Sequence, residues 1–277
     1  MIGAIIDDQQ VGHDLAVDAA PASFHHSQFD ALRLAAERAP LRVSVCIPAR
    51  NEERTVGAVV GCVHRRLTSA GGGIGLVDEI VVVDDGSTDA TAEEARRAGA
   101  VVVPSGSGGG KGRAMAAGVA ATDGDLVVFL DADVENFAAH FVTGLLGPLV
   151  AHPQVVLVKA FYERPLDGSP TGGGRVTELV ARPVIELLFP ALAGIRQPLA
   201  GETAVRRAVL ERVVLETGYG VELGLLVDVA EAHGVRALAQ VDLGRRVHRN
   251  RPLDELRPQA ADVLRAALRR AGALVAD

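Results

Sequence analysis

Ile80-Val81-Val82-Val83-Asp84-Asp85-Gly86-Ser87-Thr88-Asp89 decides the fold of this chain. Four β-branched residues in a row have no polar face to offer to water. They read as a strand covered on both sides, of the kind found inside a parallel sheet. The carboxylates, glycine and hydroxyls that follow end the strand in a turn. Thr88–Ala98 then carries a helical pattern, with Ser87, Thr88 and Thr91 available for capping. Working outward, the same alternation continues on both sides. Upstream lie a strand at Val43–Ile47 and a helix at Arg54–Leu67. Downstream lie a short strand at Ala100–Val103, a helix at Gly112–Ala121 and a strand at Leu126–Leu130. Strands alternating with helices predict an α/β fold with a parallel, twisted sheet covered on both faces. Ligands of such sheets bind beyond the carboxyl ends of the strands. Those ends read Pro48-Ala49-Arg50-Asn51-Glu52-Glu53, Asp84-Asp85-Gly86-Ser87, a loop from Ser105 to Gly110 leading to Lys111, and Asp131-Ala132-Asp133.

Beyond this block the pattern is less regular. Phe29–Arg38 has helical spacing and stops at Pro40, so residues 1–40 read as an N-terminal helical arm. After the block come a strand at Gln154–Tyr162, a polar loop at Pro165–Gly174 and a helix at Arg175–Leu188 that Pro183 would kink. An extended stretch at Gln197–Val205, a helix at Glu222–His233, a strand at Val235–Val241 and an amphipathic helix at Leu253–Val275 complete the chain. The expected organisation is an arm at 1–40, a regular α/β half at 41–160, a second, less regular α/β half at 161–252 and a C-terminal helix at 253–277.

Composition narrows the class. The chain has 277 residues and a formal net charge of −7, which argues against a nucleic-acid binder. Aromatics make up 3% and there is no Trp, so stacking platforms for bases are not expected. Cys46 and Cys62 form no CxxC pair and sit in apolar contexts, as thiols of a reducing compartment do. Residues 1–10 carry Asp7 and Asp8 without a basic segment, so no secretory signal is expected. The greasiest stretch, Leu179–Ile195, is broken by Arg182, Pro183, Glu186 and Pro190 and does not read as a membrane span. A cytoplasmic protein is the expectation. Lysine is almost absent: Lys111 follows a glycine run and Lys159 lies in a strand with no evident role.

The strand ends suggest chemistry. Two carboxylates at Asp131 and Asp133, leaving a buried strand, suit a hard divalent cation, Mg²⁺ or Mn²⁺, that bridges a diphosphate. The run Ser105–Lys111 fails the P-loop pattern, because Ser105 and Gly112 stand where Gly and Ser or Thr are required. It fails the dinucleotide pattern as well, because Lys111 stands at the third glycine. What it offers is one ammonium at the sheet edge. Asp84 and Asp85 either accept from a base or sugar or form an Asx turn. Glu52 either accepts from ribose or sits as first-turn helix charge. Gly174-Arg175-Val176-Thr177 opens a helix with exposed N–H groups, a hydroxyl and a guanidinium, which together make a phosphate site. In Arg246-Val247-His248-Arg249-Asn250, alternation puts Arg246, His248 and Asn250 on one face of an extended segment. His248 there is a metal ligand or an anion contact.

Taken in order, P-A-x-N-E-E, V-V-D-D-G-S-T-D-x-T, G-K-G and D-A-D resemble the nucleotide-sugar-binding half of GT-A glycosyltransferases. Gly174–Glu178, Gln197-Pro198-Leu199-Ala200-Gly201-Glu202, Gly218-Tyr219-Gly220-Val221-Glu222 and Arg246–Asn250 are similar to the glucosyl-3-phosphoglycerate synthase family. The resemblance runs from about residue 41 to 260 and implies a GT-A fold with a mixed, mainly parallel sheet, in which 41–160 would be the nucleotide-sugar-binding half and 161–252 the α/β acceptor-binding half. It implies a metal-dependent hexosyltransferase that moves glucose from UDP-glucose to 3-phosphoglycerate with retention, acting as a homodimer. Pro48, Ala49, Glu52, Asp84, Asp85 and Gly110 would bind the uridine end. Lys111 and a Mg²⁺ or Mn²⁺ ion would balance the diphosphate. Asp133 and His248 would ligate that ion, with Asp131 and Ala132 beside it on the nucleotide. Leu199, Ala200 and Gly201 would line the sugar. Gly174, Arg175 and Thr177, helped by Arg246 and Asn250, would take the acceptor phosphate. Asp133, Lys111 and Glu222 would form the catalytic set, with Glu222 on the glucose hydroxyls. Another donor such as a mannosyl nucleotide, another acceptor such as a small molecule or polyprenyl phosphate, and an inverting reaction are the alternatives. The chain departs from the family pattern at Arg50, where an apolar residue is expected, and in its glycine-rich run before Lys111.

Overall fold

The central strands are buried on both faces, and their residues alternate between two cores. A computed structural model describes residues 20–106, 109–166, 169–172, 174–248 and 252–274. Its strands are β1 (Ala22–His25), β2 (Val43–Ala49), β3 (Glu79–Asp84), β4 (Val101–Pro104), β5 (Leu126–Phe129), β6 (Leu157–Glu163), β7 (Pro165–Leu166), β8 (Ser169–Gly172), β9 (Thr203–Arg206) and β10 (Leu238–Arg245). Its helices are α1 (Ala31–Glu37), α2 (Val56–Leu67), α3 (Thr91–Arg97), α4 (Lys111–Ala120), α5 (His140–Ala151), α6 (Arg182–Leu188), α7 (Arg207–Leu210), α8 (Val221–His233) and α9 (Leu253–Arg270).

Eight strands form one sheet in the order β1-β10-β6-β9-β5-β2-β3-β4. β9 runs antiparallel to both of its neighbours, and the other pairings are parallel. Val45, Ile47, Ile80, Val82, Leu126 and Val128 face a core shared with α2 and α5. Cys46, Val81, Val83, Val127 and Phe129 face the opposite core, shared with α4, α8 and α9. After β4 the chain crosses back through α4, and β5 pairs with β2 on the side away from β3. The carboxyl ends of β2 and β5 therefore flank the point where successive connections diverge, and a crevice opens there.

The expected mixed, mainly parallel α/β sheet is present, and several local readings change. Ala22–His25 is a strand rather than part of a helical arm. It is an edge strand with only Phe24 half-buried, so it leaves no hydrophobic signature. No element was expected over residues 134–153, where α5 lies. Every residue from Phe141 to Leu149 is buried, so α5 has no polar face to reveal a period. The expected polar loop at Pro165–Gly174 contains the β7–β8 hairpin. The expected kink at Pro183 appears as a π-helical turn over Thr177–Ala181 just before it. The division expected after residue 160 falls inside β6, which the sheet runs straight through.

One contact fixes how closely α4 packs under β2. A Cβ added to Gly118 would lie 2.0 Å from Cys46 Sγ. Burial also pushes the Cys46 thiol up to about 12, so it packs as an inert apolar group. Gly118→Ala is expected to destabilise the fold by about 1–3 kcal/mol, because overpacking outweighs the gain in helix propensity. Cys46→Ala in the same chain should restore most of that loss, and paired thermal melts of the single and double variants measure it.

Candidate active site

A cavity of about 520 Å³ opens at the carboxyl ends of β2 and β5. Its centre is a buried ionic cluster. Lys111, the first residue of α4, places Nζ 2.8 Å from Asp131 Oδ1 and 2.6 Å from Glu222 Oε1. Arg246, just after β10, places Nη2 2.8 Å from both Asp131 Oδ2 and Asp133 Oδ1. Its Nε donates to Glu202 Oε1 at 3.0 Å. The other Glu202 oxygen accepts from the Tyr162 hydroxyl at 2.6 Å, and that hydroxyl accepts from Arg164 Nη2 at 2.9 Å. Burial opposes charge on Asp131, yet Lys111 and Arg246 outweigh it and hold the carboxyl well below its usual range. Burial likewise opposes charge on Lys111, and Asp131 and Glu222 outweigh it, so the ammonium is held well above the usual lysine range.

The residues after β5 and β10 are stitched together. Val134 bridges to His248, and Glu135 N–H donates to the Val247 carbonyl at 2.9 Å. His248 and Asp133 both line the cavity. Burial first, and the Arg246 guanidinium second, push the His248 imidazole down to about 4, so it is neutral and open to a metal at neutral pH. A carboxylate beside a neutral imidazole fits a divalent cation of the Mg²⁺ or Mn²⁺ type. Among the described residues no group of three His, Cys, Asp or Glu side chains is arranged to hold a metal. The remaining positions would therefore fall to substrate oxygens and water, as is usual for Mg²⁺ at a diphosphate.

The first two motifs turn out to be largely one joint. Asn51 adopts a left-handed backbone conformation with φ of 56°. Its Oδ1 accepts from Thr88 N–H at 2.8 Å, and its N–H donates to Ser87 Oγ at 3.0 Å. Glu52 N–H donates to Thr91 Oγ1, and Glu53 Oε2 accepts from Ala90 N–H. Pro48, Ala49 and Glu52 line the cavity above this joint. The two aspartates separate in role. Asp84 stays outside the cavity lining, and its Oδ1 accepts from Ser87 N–H three residues on, closing the turn. Asp85 lines the cavity and clamps the glycine loop, accepting from Ser105 Oγ at 2.6 Å and Gly110 N–H at 2.8 Å.

Gly174, Arg175 and Thr177 also line the cavity, where Gly174 (φ 76°) leads into a helix start. Arg246, expected beside an acceptor phosphate, lines the cavity with its guanidinium in contact with three carboxylates. The cation beside the helix start is Arg164: a Cβ on Gly174 would lie 3.0 Å from its Nη1. Arg164 sits one residue past β6, so the strand-end rule that located Asp131 would have found it. Leu199 and Ala132 line the cavity, while Ala200 and Gly201 lie behind it. Gly201 is required by proximity, since a Cβ there would fall 2.1 Å from Asp131 Oδ1. Gly218 and Gly220 let α8 begin hard against α9, where added Cβ atoms would meet Asp262 and Ala266. Glu255 and Gln259 of α9 also line the cavity, and nothing in their amphipathic pattern signals it. Lys159 is fully buried behind the cluster, and burial pushes its ammonium down to about 8. Asn250 lies outside the described residues.

Known proteins are similar to this chain in sequence and fold. A model of the glycosyl transferase family 2 matches residues 44–211. The glucosyl-3-phosphoglycerate synthase of Petrotoga mobilis is 42% identical, over 90% of this chain and 80% of its own length. That of Mycobacterium tuberculosis is 43% identical, over 95% of this chain and 85% of its own length. A crystal structure of the M. tuberculosis enzyme with Mn²⁺, UDP-glucose and phosphoglyceric acid superposes with a TM-score of 0.84 at 41% identity, covering 93% of this chain and 89% of that one. By this identity and coverage the chain belongs to glycosyl transferase family 2 and, within it, to the glucosyl-3-phosphoglycerate synthases.

Proposed function

We propose that this chain transfers glucose from UDP-glucose to 3-phosphoglycerate, releasing UDP and glucosyl-3-phosphoglycerate. The observation that carries the reading is a single cavity lined by four cations, Lys111 and Arg246 in the acidic cluster and Arg164 and Arg175 near a helix start. That much positive charge suits two anionic substrates, a diphosphate and a phosphorylated acid. Relatives solved with UDP-glucose, phosphoglyceric acid and the glucosylated product support it.

Each residue has a proposed task. Pro48, Ala49, Glu52 and Asp85 hold the nucleoside, with Asp85 also keeping the glycine loop closed. Lys111 meets the charge that grows on the departing diphosphate as the C1–O bond breaks. Asp133 and His248 hold a Mg²⁺ or Mn²⁺ ion, which supplies Lewis-acid stabilisation of the same charge when bound. Asp131 orients Lys111 and Arg246. Leu199 lines the sugar, and Glu222 accepts from its hydroxyls. Gly174, Arg175 and Thr177, with Arg164, hold the acceptor so that its hydroxyl oxygen bonds C1 on the face the diphosphate leaves. The proton passes to the leaving phosphate oxygen, which accounts for retention without a covalent nucleophile. We further propose action as a homodimer in the cytoplasm. Two free thiols and the exposed Leu179 and Leu187 beside α9 are in keeping with that.

With Mg²⁺ present, the chain should release UDP from UDP-glucose faster when 3-phosphoglycerate is added. If no member of a panel of phosphorylated three-carbon acids accelerates release, the acceptor assignment is wrong. Asp133→Ala and Lys111→Ala are each expected to lower kcat/KM by about 10²–10³-fold, the usual cost of removing one preorganised charge partner. Full turnover by Asp133→Ala would overturn the metal assignment. Gly201→Ala pushes the Asp131 carboxylate aside and should lower kcat/KM by about tenfold or more, with the melting temperature little changed. Steady-state kinetics beside a thermal melt separates those two effects.

A further inference from the structure

Lys159 is the one other lysine of the chain and takes no part in the scheme above. It stands in β6, opposite Thr203 of the antiparallel β9, and its side chain is fully buried. Its Nζ donates to the Ala200 carbonyl at 2.5 Å and to Thr203 Oγ1 at 3.0 Å. Both acceptors are neutral, so among the described residues no carboxylate touches this buried amine to offset its desolvation. Burial dominates and pushes the ammonium down; Glu222, Asp131 and Glu202 of the neighbouring cluster favour its charge, and Lys111 opposes it. Asp131, Asp133, Glu202 and Glu222 meet Lys111 and Arg246 in direct contact, with Arg164 joined through Tyr162, and Lys159 stands just behind them.

The hydrogen bonds give this amine a mechanical role. Ala200 is the middle of the turn Leu199-Ala200-Gly201. Leu199 lines the cavity, and Gly201 touches the Asp131 carboxylate so closely that no side chain fits between them. Fixing the Ala200 carbonyl therefore fixes both the apolar floor under Leu199 and the carboxylate that orients Lys111. An apolar side chain of the same length would fill the space in β6 equally well but would leave the Ala200 carbonyl without this donor.

We propose that Lys159 is a positioning residue for the donor sugar: it holds the Leu199–Gly201 turn against Asp131 and thereby sets the end of the cavity that receives the hexose. The proposal rests on the donor assignment under Proposed function. The nucleoside end, built from Pro48, Ala49, Glu52 and Asp85, lies on β2, β3 and their loops and does not depend on this turn.

The test compares UDP-glucose with UDP, which lacks the hexose. In calorimetry with Mg²⁺, Lys159→Met should weaken UDP-glucose binding about tenfold more than UDP binding, and the KM for UDP-glucose should rise accordingly. A purely structural role would weaken both ligands alike or lower only the melting temperature. If Lys159→Met does not fold, Thr203→Val removes one of the two ties while keeping shape, and should shift the same ratio about threefold. An unchanged ratio in the variant that folds overturns the proposal. Failure of the donor assignment shows separately, as an unmodified chain that does not turn over UDP-glucose with 3-phosphoglycerate at all.

Discussion

The Asp131 carboxylate, gripped from two sides by Lys111 and Arg246, is the interaction on which the site depends. Three segments far apart in sequence meet at it: the end of β5, the first residue of α4 and the residue after β10. Two more press against the same group, the start of α8 through Glu222 on Lys111 and the turn before β9 through Gly201. Removing charges from water costs several kcal/mol per ion, and it is tolerated only where opposite charges are close and hydrogen-bonded. Here that condition is met by a network rather than a pair, with Glu202 and Tyr162 forming its back wall. The sheet order follows the same logic. β5 must lie beside β2 to bring Asp131 to the crevice, and β10 must run parallel to β6 to deliver Arg246 and His248 to the same edge.

The central sheet was legible because its strands are covered on both faces and their β-branched runs have no other use. The same burial hid α5, whose residues Phe141–Leu149 are apolar all round and so show no helical period. β1 was hidden for the opposite reason, since an exposed edge strand needs no apolar residues. At the cavity, the rule that chemistry follows strand ends pointed to Asp131, Asp133, Lys111 and His248, all of which line it. It could not tell which acidic residues there are structural. Asp84 and Asp85 are adjacent in sequence, yet one closes a turn and the other clamps the glycine loop. Only the three-dimensional partners distinguish them.

Arg246 carries a related lesson. An arginine near a phosphate-binding element reads as an anion contact, because exposed guanidinium groups usually are. This one is buried with its guanidinium in contact with three carboxylates, and Arg164, unremarkable in sequence, reaches the helix start. Part of the acidic excess of the chain is consumed in this way: Asp131, Asp133, Glu202 and Glu222 hold Lys111 and Arg246 in place at the cavity.

The reversed direction of β9 has a wider consequence. Loops at the ends of the parallel strands can lengthen or shorten without disturbing the strands themselves, which gives evolution room to alter what they contact. The turn at Leu199–Gly201 enters the same edge from the other direction, as the start of a strand pinned between β5 and β6. An inserted residue there would shift the register of two strand pairs at once. One side of the cavity is therefore open to variation and the other is nearly frozen. New specificities on this scaffold would be expected to arise from the loops, with the turn before β9 inherited unchanged.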